Sequence, residues 1–165
     1  MYLYGAYGSN LNKAQMLYRC PKSKPFTSIV LKKFRLVFKG VADIEKDSTC
    51  NLYLGIYNIT KECEKALDYY EEFPKIYKKF YIDYIFERKN EKILCYTMNK
   101  LFSYGAPSQK YFNVIKQGYY DWNFNLDNLS DAGLHCLENN TLNGYKSKNW
   151  NDQKFISRKF LKLVR

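Results

Sequence analysis

A chain of 165 residues is the size of one domain and is long enough to bury a single core. Its net charge of +11 would draw anionic partners, but Lys and Arg are scattered and form no run of five or six like charges, so no nucleic-acid tract is written into it. Five cysteines at long spacings, without a CxxC pair and with a single histidine, His135, leave a zinc or redox site short of ligands.

In chain order, residues 1–5 read as a short strand that runs into the turn Ala6-Tyr7-Gly8-Ser9-Asn10. Asn10 stands where it could cap a helix over 11–18, which Cys20-Pro21 ends. Residues 26–38 are strand-like: Ile29 and Leu31, then Phe34, Leu36 and Phe38, recur at spacing two. The polar stretch 43–49 reads as a loop, and 51–57 as a second strand interrupted at Gly55. Thr60 takes the capping position of a helix on which Cys63, Leu67 and Tyr70 share a face, with Pro74 after its end. Strands over 77–87 and 92–98 follow, with Arg88-Lys89-Asn90-Glu91 as the hairpin turn between them. Ser108 begins a helix that stacks Phe112, Ile115 and Tyr119, and a further helix over 127–137 spaces Leu129, Gly133 and Leu137 by fours. An Asn- and Lys-rich stretch runs to Asp152, and 155–164 reads as a last helix or strand.

Strands first and helices late predict an α+β domain with a curved or closed mixed sheet. One domain over 1–165 accounts for the chain, with 123–165 as a helical or irregular extension. No N-terminal apolar region and no apolar stretch of about 18 residues supports secretion or membrane spanning, so reduced thiols in the cytoplasm are the expectation. The small basic clusters Lys32-Lys33, Lys78-Lys79 and Arg158, Lys159, Lys162, Arg165 read as solvated faces. The 17 tyrosines reflect either an AT-rich genome or a phenol-lined binding site.

Two segments carry chemistry. In Tyr7-Gly8-Ser9-Asn10-Leu11, glycine permits close approach, and successive N–H groups at a helix entrance make a cradle for a carboxylate or an oxyanion. In Leu67-Asp68-Tyr69-Tyr70-Glu71, the last carboxyl closes a helix that otherwise packs. Burial there would raise its pKa toward the range useful for proton transfer. Ser9 has no histidine placed by the sequence to activate it, and Asp68 either orients Glu71 or is solvated.

MYLYGAYGSNLN at the start, LDYYEEFP in the middle and APSQKY in the third quarter together resemble the three signposts of the gamma-glutamylcyclotransferase family, in its order and approximate spacing, over about residues 1–122. The resemblance implies a small mixed β-barrel flanked by helices, with Glu71 as catalytic acid/base. It implies a substrate cradle over Tyr7, Gly8, Ser9, Asn10 and Leu11, whose N–H groups hold carboxylate and carbonyl oxygens, and pocket tyrosines at Tyr77, Tyr96 and Tyr111. It calls for no metal and no other cofactor. The implied reaction cuts a γ-glutamyl amide by attack of its own α-amine and releases 5-oxoproline. Glu72 is a departure, because the family usually has Gly after its glutamate. The rival readings are a repurposed fold that binds an anionic small molecule such as a nucleotide, and, last, a nucleic-acid accessory protein resting on charge alone. The expected partner is thus a small molecule with a γ-glutamyl or other anionic group, not a membrane or nucleic acid. With no oligomerisation heptad visible, monomer and homodimer both stay open.

Overall fold

The computed structural model describes residues 2–99, 102–141, 143–150 and 154–164. Met1 at the head of the first strand, Asp152 at the end of the Asn-rich stretch and Arg165 in the basic tail lie outside the described residues. The elements are β1 (Tyr2–Ala6), a 3-10 turn (Ser9–Leu11), α1 (Lys13–Arg19), β2 (Lys24–Phe38), β3 (Ala42–Ile59), α2 (Lys61–Tyr70), β4 (Tyr77–Phe86), β5 (Lys89–Met98), α3 (Gln109–Asp121), α4 (Leu126–Asn139) and α5 (Arg158–Leu161).

The strands form one mixed sheet in the order β2-β3-β1-β5-β4, with β1 antiparallel to β3 and parallel to β5. An α+β domain with helices flanking a curved mixed sheet is therefore what the chain builds. Among the described residues the sheet is not closed by hydrogen bonds, since its edges β2 and β4 are not paired. It curls far enough that Phe26 on one edge and Phe86 on the other touch edge to face, ring centroids 5.6 Å apart. The barrel expected from the resemblance is thus an open sheet whose rims meet through side chains.

The change of phase between Ile29, Leu31 and Phe34, Leu36, Phe38 has a backbone cause. The β2–β3 register shifts between Lys32 and Phe34, and Lys33 in the gap has a left-handed φ of 64°. Opposite it, β3 makes an excursion between Lys46 and Asn51, fastened by Asp47 Oδ1, which accepts from the Thr49 N–H (2.9 Å) and hydroxyl (2.6 Å). The expected loop over 43–49 is therefore strand throughout, with Asp43 and Ile44 buried and only 45–49 lying on a half-exposed part of a long hairpin. Nor does Gly55 interrupt β3, as it pairs with Ala6 on one side and Ser28 on the other. The β4–β5 turn falls at Glu87-Arg88, just before the expected position. Both residues have positive φ (46° and 70°), the pattern of a tight two-residue hairpin.

Helix starts follow their caps. Thr60 accepts from Cys63 N–H at 3.3 Å and Ser108 from Tyr111 N–H at 3.1 Å. The first helix is different. Asn12, not Asn10, caps α1 by accepting from Gln15 N–H at 3.0 Å, which leaves the Asn10 side chain for another purpose. α3 and α4 turn Phe112, Ile115, Tyr119, Leu129 and Cys136 into the core, and Phe38 of β2 meets Phe112 with ring centroids 5.8 Å apart. The last expected element is split, Phe155 making a single bridge to Ser108 before the four-residue α5.

Candidate functional site

A cleft open on one side to solvent lies where β1 runs into the 3-10 turn and α2 ends. Its floor and inner walls are Tyr4, Tyr7, Gly8, Ser9, Asn10, Ala42, Glu71, Tyr77, Tyr96 and Tyr111, which come from six separate stretches of chain. Of the residues expected from the sequence, eight meet here. Leu11 does not. It is fully buried, its N–H donates to the Gly8 carbonyl (2.9 Å), and its carbonyl accepts from the Trp122 indole N–H (2.8 Å). The turn closes on itself through Leu11, so the donors it offers the cleft are those of its first residues, which a helical turn leaves without an intrahelical acceptor.

Cys63 and Leu67 bury one face of α2, and that packing fixes where the helix ends. Glu71 is the residue after the last turn, its N–H still donating to the Leu67 carbonyl (2.8 Å) while its side chain is carried to the cleft. There Asn10 Nδ2 donates to Glu71 Oε1 at 2.9 Å and to the Tyr4 hydroxyl at 2.9 Å. The Asn10 amide is oriented from behind by Arg19, whose Nη1 donates to Asn10 Oδ1 at 2.5 Å. Arg19 can only donate, so the amide oxygen must face it and the NH₂ must face Glu71. Gln15 Oε1 accepts the other guanidinium nitrogen at 2.9 Å, and the group lies over the Tyr70 ring, 3.6 Å from its centroid.

Burial raises Glu71 to about 7, against the opposing pull of the Arg19 charge and the Asn10 hydrogen bond. A carboxyl that titrates near neutrality, half-buried but open to the cleft, is suited to take a proton and give it back. The phenols around it are set the other way. Burial first keeps Tyr7 and Tyr77 protonated, their pKa values well above the usual, reinforced at Tyr7 by the Asp43 and Glu71 carboxylates and at Tyr77 by the Tyr111 and Tyr7 phenols before those carboxylates. Replacing Arg19 by Met is expected to raise the pH at which Glu71 is half ionised. A 13C titration of the Glu carboxyls, with Glu71→Gln identifying the resonance, checks it; an unmoved titration would show that Arg19 has no hold on the base.

The tyrosines hold the walls. Tyr7 donates to the Tyr96 carbonyl (2.7 Å), while Tyr77 donates to the Ala42 carbonyl (2.6 Å) and Tyr111 accepts from the Ala42 N–H (3.1 Å). Gly8 is needed at this spot for closeness, since a Cβ there would stand 3.2 Å from the Ala42 Cβ and 3.3 Å from the Tyr111 hydroxyl. The Tyr96 hydroxyl turns away from the base to Asp68 Oδ1 (2.6 Å), and Asp68 Oδ2 pairs with Lys79 (2.8 Å). Asp68 is therefore an anchor for Tyr96, neither solvated nor an orienter of Glu71. Ser9 Oγ bonds the Tyr70 hydroxyl (2.9 Å), while His135 stands elsewhere, against the Tyr104 ring.

The outer wall was not foreseen. Tyr145, Ser147, Asn149 and Trp150, from the Asn- and Lys-rich stretch, complete the cleft. The Trp150 indole donates to the Tyr70 hydroxyl (3.0 Å) and its ring meets Tyr111 edge-on at 5.0 Å, while the Tyr145 hydroxyl donates to Glu72. The stretch is held by its backbone where the Tyr145 N–H donates to the Lys39 carbonyl (2.7 Å), beside Gly40, whose own N–H donates to the Gly105 carbonyl (2.7 Å). Glu72 itself has φ of 50°, in the left-handed region that favours glycine, which gives a physical reason for Gly at this position. Besides this wall, Tyr4, Arg19 and Tyr70 escaped the sequence reading. Tyr4 had a faint signal in its spacing along the first strand, the others none. Among the described residues no group of three or more His, Cys, Asp or Glu side chains is gathered as for a metal, and no helix is long and apolar enough to cross a membrane.

No protein-family model matches the sequence, and no curated protein does either. Solved structures do match in shape. One described as a gamma-glutamyl cyclotransferase has a TM-score of 0.69 at 20% identity, over 99% of this chain and 97% of its own. The uncharacterized protein loc79017 from Homo sapiens has a TM-score of 0.68 at 21% identity, over 99% and 97%. YkqA from Bacillus subtilis has a TM-score of 0.68 at 20% identity, over 85% of this chain and 55% of its own.

Proposed function

We propose that this chain, which has the gamma-glutamyl cyclotransferase fold, is itself a cyclotransferase that cleaves a γ-glutamyl amide into 5-oxoproline and a free amine. The observation that carries the reading is Glu71: a carboxyl pushed up to about 7 at the floor of a cleft, beside a turn that offers N–H donors. In such a substrate the α-amine lies within reach of the γ-carbonyl carbon, and its attack closes a five-membered lactam. Intramolecular attack of this kind reaches effective molarities of about 10⁵ M or more, so the protein has little else to supply. Glu71 takes a proton from the α-ammonium, the amine attacks, and the carbonyl oxygen becomes an oxyanion. Donors from Gly8, Ser9 and Asn10 hold that oxyanion, each worth on the order of 3 kcal/mol. Glu71 then returns the proton to the departing nitrogen as the oxyanion collapses and the C–N bond breaks, and the surplus proton on the ring nitrogen passes to solvent at the cleft mouth.

The chain's basic side chains are not themselves part of the cleft's described lining. Among the described lining residues there are two carboxylates, Glu71 and Glu72, and no Lys or Arg. That lining fits a nucleotide-binding module poorly, because its phosphates would ask for cationic side chains. The test is to incubate the protein with a panel of γ-glutamyl amides and glutathione and follow 5-oxoproline. Release by the wild type and its loss in Glu71→Gln are expected; turnover unchanged in that variant would overturn the role given to Glu71.

A further inference from the structure

We propose that the cleft selects γ-glutamyl amides whose departing amine bears no carboxylate, and best of all those bearing a second, cationic group, with Glu72 as the residue that reads that charge. The proposal rests on the cyclotransferase reading above and goes further, to the half of the substrate that leaves.

In a protein of net charge +11, the described residues lining the cleft carry no cationic side chain. Two cations beside the lining are already committed. Lys39 Nζ is held between Asp43 Oδ2 (2.8 Å) and Glu45 Oε1 (2.9 Å), and Arg19 is spent on Asn10, Gln15 and the Tyr70 face. Lys146 and Lys148 stand between lining residues of the outer wall but are exposed, so a carboxylate on the departing amine would find no cation among the cleft's described lining. The γ-glutamyl group's own carboxylate shares with the oxyanion the N–H donors of the turn at Gly8, Ser9 and Asn10.

Glu72 follows the base directly, and the chain reverses there, so its side chain joins the outer wall with Tyr145 and Trp150. It is exposed, and the Tyr145 hydroxyl occupies only Oε1, leaving acceptor positions for a ligand ammonium. The rings of Tyr145 and Trp150, both half-buried in the outer wall, favour a cation again through their quadrupoles. Like charge set against Glu72 is disfavoured by the same arrangement.

The experiment measures affinity, so that turnover is not needed for an answer. Calorimetry of Glu71→Gln, which leaves the ligand intact, is carried out with γ-glutamyl amides of 1,4-diaminobutane, ethylamine and alanine. These leave, respectively, a cationic, a neutral and an anionic amine. The expected order is cationic, neutral, anionic, spanning about tenfold or more. It should flatten when Glu72→Gln is added and shrink with salt. Glu72→Gly, which suits the left-handed backbone, is the second variant and should flatten it equally. Equal affinities for all three amides, or an order that persists without the Glu72 carboxylate, would overturn the proposal while leaving the cyclotransferase reading intact. No binding by any of the three would sink that reading and this proposal with it.

Discussion

Glu71→Gln is expected to lower kcat for a γ-glutamyl amide by about 10²–10⁴-fold, the usual worth of a positioned general base, and at the same time to stabilise the folded protein at pH 8. Both effects come from the burial of one carboxyl. Folding raises its pKa from an ordinary 4.5 to about 7, so the native state holds the proton more tightly than the unfolded chain does. The stability this contributes is complete below the ordinary carboxylate value and is lost as pH rises through about 7. Above neutrality the wild type carries a poorly hydrated charge that costs at most on the order of 3 kcal/mol, less whatever solvent at the cleft mouth screens. Gln keeps an oxygen to accept from Asn10 and has no charge to desolvate. Thermal unfolding at pH 4.5 and pH 8 should therefore show the variant close to the wild type at the lower pH and above it at the higher. Activity runs opposite in pH, since the base must be unprotonated: kcat/KM should climb with pH through about 7 and level off. A wild type whose stability is flat across that range would mean that Glu71 is not desolvated as described.

Gly40→Ala is expected to be the most damaging single methyl added near the cleft. Gly40 sits at φ of 86°, where an L side chain is strained, and an added Cβ would lie 1.9 Å from the Tyr145 carbonyl oxygen. Backbone cannot swing aside as a side-chain tip can. The strand turn and the stretch carrying Tyr145 must separate, breaking the hydrogen bonds of Lys39 with Tyr145 and of Gly40 with Gly105. A loss of about 2–4 kcal/mol follows from strain together with the broken clasp. Because Trp150 would be freed from Tyr70 and Tyr111, its fluorescence should shift to the red, and KM should rise more than kcat falls. Unaltered stability and emission would show that the clasp does not hold the wall.

Much of the sheet was legible because its signals are local. Spacing-two apolar residues marked β2, and the one-residue phase slip between Leu31 and Phe34 was the bulge itself, visible before its cause was. Capping at Thr60 and Ser108 was likewise a matter of neighbours. The polar run 43–49 misled because 45–49 lie on a hairpin arm with no face that must be apolar, while the buried Asp43 is matched by Lys39, Thr97 and the Met98 N–H rather than by apolar neighbours. Asn10 misled for a different reason. An Asn at a helix start satisfies the capping rule equally well whether it caps or reaches for a carboxylate 61 residues away. The wall of Tyr145 and Trp150 was out of reach altogether. Those residues stand in a stretch whose composition resembles a solvated loop, and their contacts with Glu72 and Tyr70 lie 73 and 80 residues off in sequence.

The clasped wall has an evolutionary consequence. The floor of the cleft is laid down by residues up to Tyr111, whereas its outer side comes from 145–150, tied to the rest by a few backbone hydrogen bonds and ring contacts. Surface segments of this kind accept substitution and changes of length far more readily than sheet or helix interiors. A lineage could thus exchange the wall and acquire a new leaving group while the proton-transfer residues stood still. The same bond would be cut in a succession of different molecules, and descendants would diverge first in the part of the chain where sequence resemblance is hardest to see.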